Sequence, residues 1–484
     1  MLFVSISKLW AEGLATNKAY IILFLIIAAA ALFTYTYKIV GIAPAYDDSV
    51  YAYSLLNPLS LKTTSLFGGS IGFFIYGYLF IHLLGHIMIV PTLMTLSAIV
   101  LTMLFIFLIG NEYKNMFIGV LASVLYAFNP VVFAYSNRLL PDIFTTMLLA
   151  FSILIFLKAR KSNKGYLFLS SGLIVAIGIF FGYQAAFAVL IYVVFVISSM
   201  ILEKKRVKAL DFIFIFAGML LAIIFWMAYQ QYLYGTPFFL FTGAAKIYAI
   251  TSTYAWSSSY YPALLLPMHV IPNTLEGSWE PHVNVGLLGF AFLFSSMFLF
   301  TKYGRKYRKQ VLPYSVSSLA FVLFLMYGSQ SLTVYSPLYD ENRFLMPFVL
   351  MASLGVAIAI SSLKKRPAII VSTAFVILYV AFLAAAAPNT LSFYGSQDAF
   401  FTYLQSAAPY QNMSTYTVYQ NIFSISDAFC YLLNASHQNC QDNTLVPVPA
   451  GICMQNKTAI FSTEEICNQS TAFGYPLVYI HVRN

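Results

Sequence analysis

Stretches of about twenty apolar residues recur along this chain from Lys18 to Ala387, separated by short polar gaps. That repetition decides most of what the chain can become. A single soluble core stops growing beyond roughly 250–300 residues, whereas 60% of these 484 residues are hydrophobic and only 9% are charged. In lipid, backbone N–H and C=O groups must pair internally, which leaves helices or closed barrels. A barrel would alternate apolar and polar residues with period two, and these runs do not. The sequence predicts an all-α polytopic membrane protein.

The net charge of +10 would suit a nucleic-acid partner, but its placement points elsewhere. Nineteen of the 26 Lys and Arg lie in or beside the short gaps: Lys8, Lys18, Lys114, the runs KARKSNK (Lys158–Lys164), EKKRVK (Glu203–Lys208), KYGRKYRK (Lys302–Lys309) and KKR (Lys364–Arg366). Basic loops of this kind face the cytoplasm, so the charge is a topology signal and no nucleic acid is implied. Lys18–Lys38 reads as an uncleaved anchor with its N-terminus inside. Counting crossings gives spans at Met88–Gly110, Asn115–Val131, Asp142–Leu157, two within Gly165–Leu202 turning near Gly182–Gln184, Leu210–Tyr229, Val285–Thr301, Leu312–Gln330, Phe344–Ser362 and Pro367–Ala387. Parity then requires Ser65–Ile87 to lie at the interface on the outer side, and its Gly, Tyr and His content suits that depth. The expected count is about 11 spans, N-in and C-out in the cell membrane. A 13-span count stays open if Tyr260–Ile271 is half of a re-entrant hairpin.

The tail differs in composition. All four cysteines, Cys430, Cys440, Cys453 and Cys467, follow the last apolar run, as do all four N-x-S/T sequons, at Asn412, Asn434, Asn456 and Asn468. An even cysteine count confined to one segment reads as two disulfides in an oxidising compartment, with pairing open. The sequons agree with exposure to glycosylation there. Strand-like runs at Thr415–Tyr419 and Pro476–Val482 flank a helix-like Ser426–Leu433. Two domains are expected: 1–388, the transmembrane unit, and 389–484, a small extracytoplasmic α/β domain.

Few charges remain on the outer face, and they gather at span ends: Asp47 and Asp48 in the loop Gly41–Pro58, Arg138 with Asp142, and Asp340, Glu341 and Arg343. Ionisable groups kept at membrane depth are costly and tend to be functional. A carboxylate shielded from bulk water serves as a general base on a hydroxyl. An Arg fork at headgroup depth matches a lipid-linked phosphate. Acids and phosphate-binding cations facing one cavity fit glycosyl transfer from a polyprenyl-phosphate sugar.

The order of short motifs adds a resemblance. Asp47-Asp48-Ser49-Val50-Tyr51 in the first outer loop, His82-Leu83-Leu84-Gly85, Asn129-Pro130, Ser136-Asn137-Arg138-Leu139-Leu140-Pro141-Asp142, Tyr234-Gly235-Thr236-Pro237 and Arg343-Phe344-Leu345-Met346-Pro347 follow one another. Together they resemble the GT-C superfamily of membrane glycosyltransferases, in the branch of protein O-mannosyltransferases and the aminoarabinose lipid A transferase. The likeness runs from about residue 17 to residue 362. It departs where Asp48 replaces a Glu and where one residue separates Ser136 from Arg138. It implies interfacial helices in the first outer loop and an inverting transfer from a lipid-phosphate donor such as dolichyl phosphate mannose. The acceptor would be a hydroxyl on a protein or lipid-linked glycan. Asp47 would be the base, with Asp48 and Asp142 beside it, and Arg138 and Arg343 would bind the lipid phosphate. In parts of the superfamily, first- and second-loop acids, here Asp47 and Asp142, share a divalent metal such as Mg or Mn; other branches work without one.

Blander readings stand beside these. Asp142 could cap the helix starting at Ile143, and Arg138 and Arg343 could anchor in headgroups. Tyr51, Glu276, Trp279, Glu280, His282 and Glu341 are candidate substrate contacts, yet Tyr and Trp at this depth also form the ordinary interfacial belt. A secondary transporter or flippase is the alternative function. It would want ionisable or broken helices at mid-depth and repeated halves, and the spans show neither.

Overall fold

The computed structural model describes residues 18–37, 70–84, 89–136, 138–182, 184–202, 209–238, 265, 285–301, 304, 307–328, 342–363, 366–384, 446–449, 465–470 and 477–482. Thirteen helices lie among them. They are α1 (Lys18–Tyr37), α2 (Ile71–Leu84), α3 (Ile89–Glu112), α4 (Met116–Ala127), α5 (Pro130–Tyr135), α6 (Pro141–Ser162) and α7 (Gly165–Ile177). A 3-10 turn, Gly178–Phe180, follows α7; then come α8 (Ala185–Leu202), α9 (Ala209–Tyr234), α10 (Leu287–Phe298) and α11 (Arg308–Tyr327). A second 3-10 turn, Asn342–Leu345, leads into α12 (Met346–Ser361), and α13 spans Arg366–Ala384.

Eight of these helices are long and apolar enough to cross a membrane, and the protein is a multi-pass membrane protein. The eleven expected spans all have a described helix. The three that fall short of full length are α4, α7 with its turn, and α10. In α4 the shortfall is made up by α5, which resumes after only Phe128 and Asn129. The segment expected at the interface contains α2, whose 14 residues reach only about 21 Å against a hydrocarbon core of about 30 Å. It packs chiefly on α3 and on the Gly178–Phe180 turn.

Burial sorts the bundle into an inside and an outside. In α12 and α6, 89% and 83% of the apolar span is enclosed, against 17%, 28% and 22% in α1, α9 and α13. The two central helices pack on each other, on α4, α3 and α7, and on α11 and α10. Peripheral helices turn Ile, Leu and Phe outward: Leu210, Ile213, Leu220 and Phe225 of α9 are exposed, as a lipid-facing surface should be. Helix ends carry local stop and start signals. Asn115 caps α4 by accepting from the Phe117 amide at 3.2 Å. Asn163 ends α6 in the left-handed region at φ 53°.

Close helix contact in lipid rests on small residues rather than on hydrophobic drive. The tightest seam joins α7 to α9. A side chain on Gly172 would run into the Ile215 carbonyl of α9, and one on Gly218 into the Leu169 carbonyl, with the Leu173 nitrogen 2.8 Å away.

In the tail, β1 (Val446–Pro449), β2 (Glu465–Ser470) and β3 (Leu477–Val482) form an antiparallel sheet in the order β1-β3-β2. Val446 pairs with Ile480 and Asn468 with Tyr479. The expected strand at Pro476–Val482 is β3. The other two strands were not expected. β1 reads Val-Pro-Val-Pro, and its prolines are tolerated because it is an edge strand. The expected strand at Thr415–Tyr419, the helix at Ser426–Leu433 and the boundary at 388/389 lie outside the described residues.

Replacing Gly172 with Leu should force α7 and α9 apart at a cost of roughly 1–3 kcal/mol. The thermal midpoint of the detergent-purified protein should fall accordingly. Leu220→Ala, on the 56%-exposed outer face of α9, should leave it unchanged. Equal midpoints for all three proteins would show that the seam contributes nothing.

Candidate functional site

One end of the bundle gathers polar and charged residues that the sequence separates widely. It is built around the start of α6. Pro141 occupies the first helical turn, where its missing N–H costs nothing, and Asp142 follows it. Asp142 does not cap this helix. The cap position is Leu140, which makes no side-chain cap bond. The main-chain carbonyl of Asp142 accepts from Thr145 Oγ1 at 3.1 Å and Thr146 Oγ1 at 2.7 Å. Its carboxylate sits in the first turn, where the helix dipole favours negative charge.

Facing it is Arg343, from the 3-10 turn that opens α12. Arg343 Nε lies 3.8 Å from Asp142 Oδ2, with both side chains only 3% exposed. That is an ion-pair distance, beyond hydrogen-bond range. Arg138, four residues ahead of Asp142, is likewise buried at 1% exposure. Its guanidinium lies 5.8 Å from the Tyr135 ring centre, and its carbonyl accepts from Thr95 Oγ1 at 3.0 Å. Neither arginine reaches out toward headgroups as a surface anchor would. Among the described residues the ion pair joins Arg343 to Asp142, and Arg138 is buried on the loop that leads into α6.

The loop before it is pinned by Asn129. Its Oδ1 accepts from the Val131 amide at 2.9 Å and so caps α5. Its Nδ2 donates to the Val285 carbonyl at 3.1 Å and to the Tyr379 hydroxyl at 2.6 Å. Tyr379 in turn donates to the Leu125 carbonyl at 2.8 Å, and Tyr35 of α1 donates to the Ala127 carbonyl. The Asn-Pro step therefore ties α5 to the lead into α10 and to α13, while Tyr379 and Tyr35 fasten α13 and α1 to the end of α4.

On the other flank, an aromatic cluster docks α2 beside Asp142. Phe144 stacks on Phe181 at 5.0 Å, and Phe73 and Tyr76 meet Phe144 edge-on at 5.2 and 5.1 Å. Tyr76 also shares a 2.9 Å hydrogen bond with Ser97. Burial pushes its phenol above the usual range, and the Ser97 bond pulls it partly back, so it stays neutral.

Of the other expected site residues, Asp47, Asp48, Tyr51, Glu276, Trp279, Glu280, His282 and Glu341 lie outside the described residues. So do Cys430, Cys440 and Cys453, and Asn412, Asn434 and Asn456. Cys467 and Asn468 fall on β2. The described residues contain no group of three His, Cys, Asp or Glu side chains placed to hold a metal. Asp142 fits a shared divalent cation poorly, since Arg343 already stands against one of its oxygens. The motif Tyr234-Gly235-Thr236-Pro237 resolves into a helix stop: Gly235 takes φ +71° directly after α9, and its N–H returns to the Gln231 carbonyl at 2.9 Å.

Residues 71–229 match the family model described as dolichyl-phosphate-mannose-protein mannosyltransferase. The fold is similar to that of ArnT from Cupriavidus metallidurans, solved bound to undecaprenyl phosphate, with TM-score 0.57 and 10% identity over 97% of this chain and 99% of that one. The oligosaccharyltransferase of Archaeoglobus fulgidus in its apo form aligns more loosely, at TM-score 0.44 and 13% identity over 79% of this chain and 56% of that one. No curated protein matches. The expected likeness to protein O-mannosyltransferases is met by the family model over residues 71–229, and the expected fold by the similarity to ArnT.

If the Asp142–Arg343 pair stabilises the bundle, breaking it from one side leaves a buried ion. Asp142→Asn and Arg343→Gln should each cost about 3 kcal/mol or more. The double variant should recover at least about 1 kcal/mol of their sum. Thermal unfolding of the four proteins measures this, and strict additivity would remove the pair from the account.

Proposed function

We propose that the chain is a membrane glycosyltransferase that moves a sugar from a polyprenyl-phosphate donor to an acceptor hydroxyl on a protein or lipid-linked glycan. The observation that carries this reading is the joining of two sequence motifs 201 residues apart, Ser136–Asp142 and Arg343–Pro347, through a buried carboxylate and guanidinium at the starts of the two central helices. The family match over 71–229 and the ArnT-like fold support it.

The mechanism follows from the charges. The planar forked donors of Arg138 and Arg343 suit phosphate oxygens. In this reading they hold the lipid phosphate as it leaves the sugar, where developing negative charge needs fixed donors. Asp142 orients Arg343 and keeps the site from holding two unbalanced cations. Asp47 removes the acceptor's proton as its oxygen attacks the anomeric carbon from the face opposite the phosphate, so configuration inverts. Asp48 neighbours that base, and Tyr51, Glu276, Trp279, Glu280, His282 and Glu341 shape the sugar and acceptor sites. No step runs through a metal.

We place the reaction on the extracytoplasmic side, with the N-terminus in the cytoplasm. Residues 389–484 form an outer domain carrying the disulfides and glycans. The described ends of the helices fit this polarity: α6 ends on Lys158, Arg160 and Lys161, far along the helix from Asp142.

Transfer to acceptor by full-length protein, with polyprenyl-phosphate mannose and polyprenyl-phosphate glucose offered in turn, tests the base. Asp47→Asn should lower turnover by about 10²–10⁴-fold with an unchanged melting midpoint. Undiminished transfer would remove Asp47 from its role. Arg138→Met should instead weaken donor binding, read as a raised KM for the lipid donor.

A further inference from the structure

The turn between α7 and α8 holds a polar side chain that none of these roles uses. Gln184 is 1% exposed, and neither its Nε2 nor its Oε1 has a hydrogen-bond partner among the described residues. Its main chain is satisfied locally, with the Phe187 amide donating to the Gln184 carbonyl at 3.0 Å. An orphaned amide buried in an apolar bundle costs roughly 1–3 kcal/mol, and such groups in well-packed proteins call for an explanation.

Its position supplies one. A Cβ added to Gly182 would collide with Gln184 Oε1 and would come within 2.9 Å of Pro141 Cγ. The amide and the first residue of α6 therefore crowd the same glycine, one residue from Asp142. Three residues past Gln184, Phe187 meets Phe344 edge-on at 5.0 Å, directly beside Arg343. The α7–α8 turn thus abuts the start of α6, one residue before Asp142, and α8 abuts the 3-10 turn that carries Arg343.

The chemistry of the side chain narrows what it meets. A primary amide is neutral and offers two N–H donors and one carbonyl acceptor. A phosphate accepts only and would use half of it, and the neighbouring guanidinium groups suit phosphate better. A sugar hydroxyl both donates and accepts, and a pair of them satisfies donor and acceptor together. We infer that Gln184 is a specificity-determining residue that reads hydroxyls of the donor's sugar while the arginines hold its phosphate. This rests on the glycosyltransferase reading above.

The test compares bare polyprenyl phosphate with a panel of polyprenyl-phosphate hexoses, mannose and glucose among them, binding to full-length protein in detergent. Gln184→Met keeps the volume and removes both hydrogen-bonding functions; Gln184→Ala serves if the Met variant fails to fold. Wild type should bind at least one hexose-bearing lipid more tightly than the bare lipid. The variant should lose that preference by about tenfold, the scale of one or two hydrogen bonds, while binding bare polyprenyl phosphate as wild type does. Retention of the preference by the variant overturns the inference, and so does a wild type with no preference for any hexose. Equal loss of both ligands would make Gln184 a phosphate contact or a packing residue, and also overturns it. A wild type that binds bare lipid phosphate no better than a neutral polyprenol overturns the donor reading itself.

Discussion

A charge buried in an apolar bundle must be answered where it lies, because the effective penalty for an unpaired buried ion is several kcal/mol. Asp142 is such a charge, and among the described residues two features answer it. One is its place in the first turn of α6, at the positive end of that helix. The other is Arg343, 3.8 Å away. The pairing couples the start of α6 to the start of α12, the two most enclosed of the eight membrane-length helices. A one-residue shift of either helix turns its side chains by about 100° and would carry the ion away from its partner. The register of the central pair is thereby constrained by electrostatics as well as by packing.

Around that pair the scaffold is closed by hydrogen bonds of very long sequence range. Asn129 and Tyr379 are 250 residues apart, and Asn129 and Val285 are 156 apart. These bonds bring α13 and the lead into α10 onto the loop that precedes the charged cluster. The aromatic group of Phe73, Tyr76, Phe144 and Phe181 does the same on the opposite flank with dispersion and quadrupole contacts. Both devices act on side chains whose rotamers are locked by burial. A reacting geometry that tolerates errors of only about half an ångström needs such support.

Much of this was legible in the sequence, for identifiable reasons. Apolar length and basic gaps gave the order of the spans, including the break near Gly182–Gln184. Parity assigned Ser65–Ile87 to the interface, and the helix within it, α2, has 14 residues. Two parts were not legible. The Asp142–Arg343 contact joins residues 201 positions apart, and no local pattern encodes a partner at that distance; the crossing count put both at outer span ends but did not pair them. The start of α6 was misjudged in detail. Asp before an apolar run reads as a cap, but Pro141 starts the helix earlier, so Asp142 moves from the cap into the first turn and its carboxylate becomes available to Arg343. Asn129 was visible as part of a motif, yet its work is structural: its amide spans a gap between helices that the sequence gives no means to juxtapose.

The directions of the helices add a last constraint. α6, α8 and α12 begin at Pro141, Ala185 and Met346, and the contacts of Gly182 with Pro141 and of Phe187 with Phe344 bring these beginnings together. Three helix N-termini thus lie near one another, and the positive end of a helix dipole favours negative charge there. At the far end of α6 the same dipole is met by Lys158, Arg160 and Lys161, where cations are favoured. The bundle is polarised along its axis without a single charge at mid-helix in α6: anions are welcome where the helices start, and basic groups close them where they end. A lipid-linked phosphate, whose tail must remain in the hydrocarbon, can present its headgroup only near helix ends. Arg138 and Arg343 are buried at that depth.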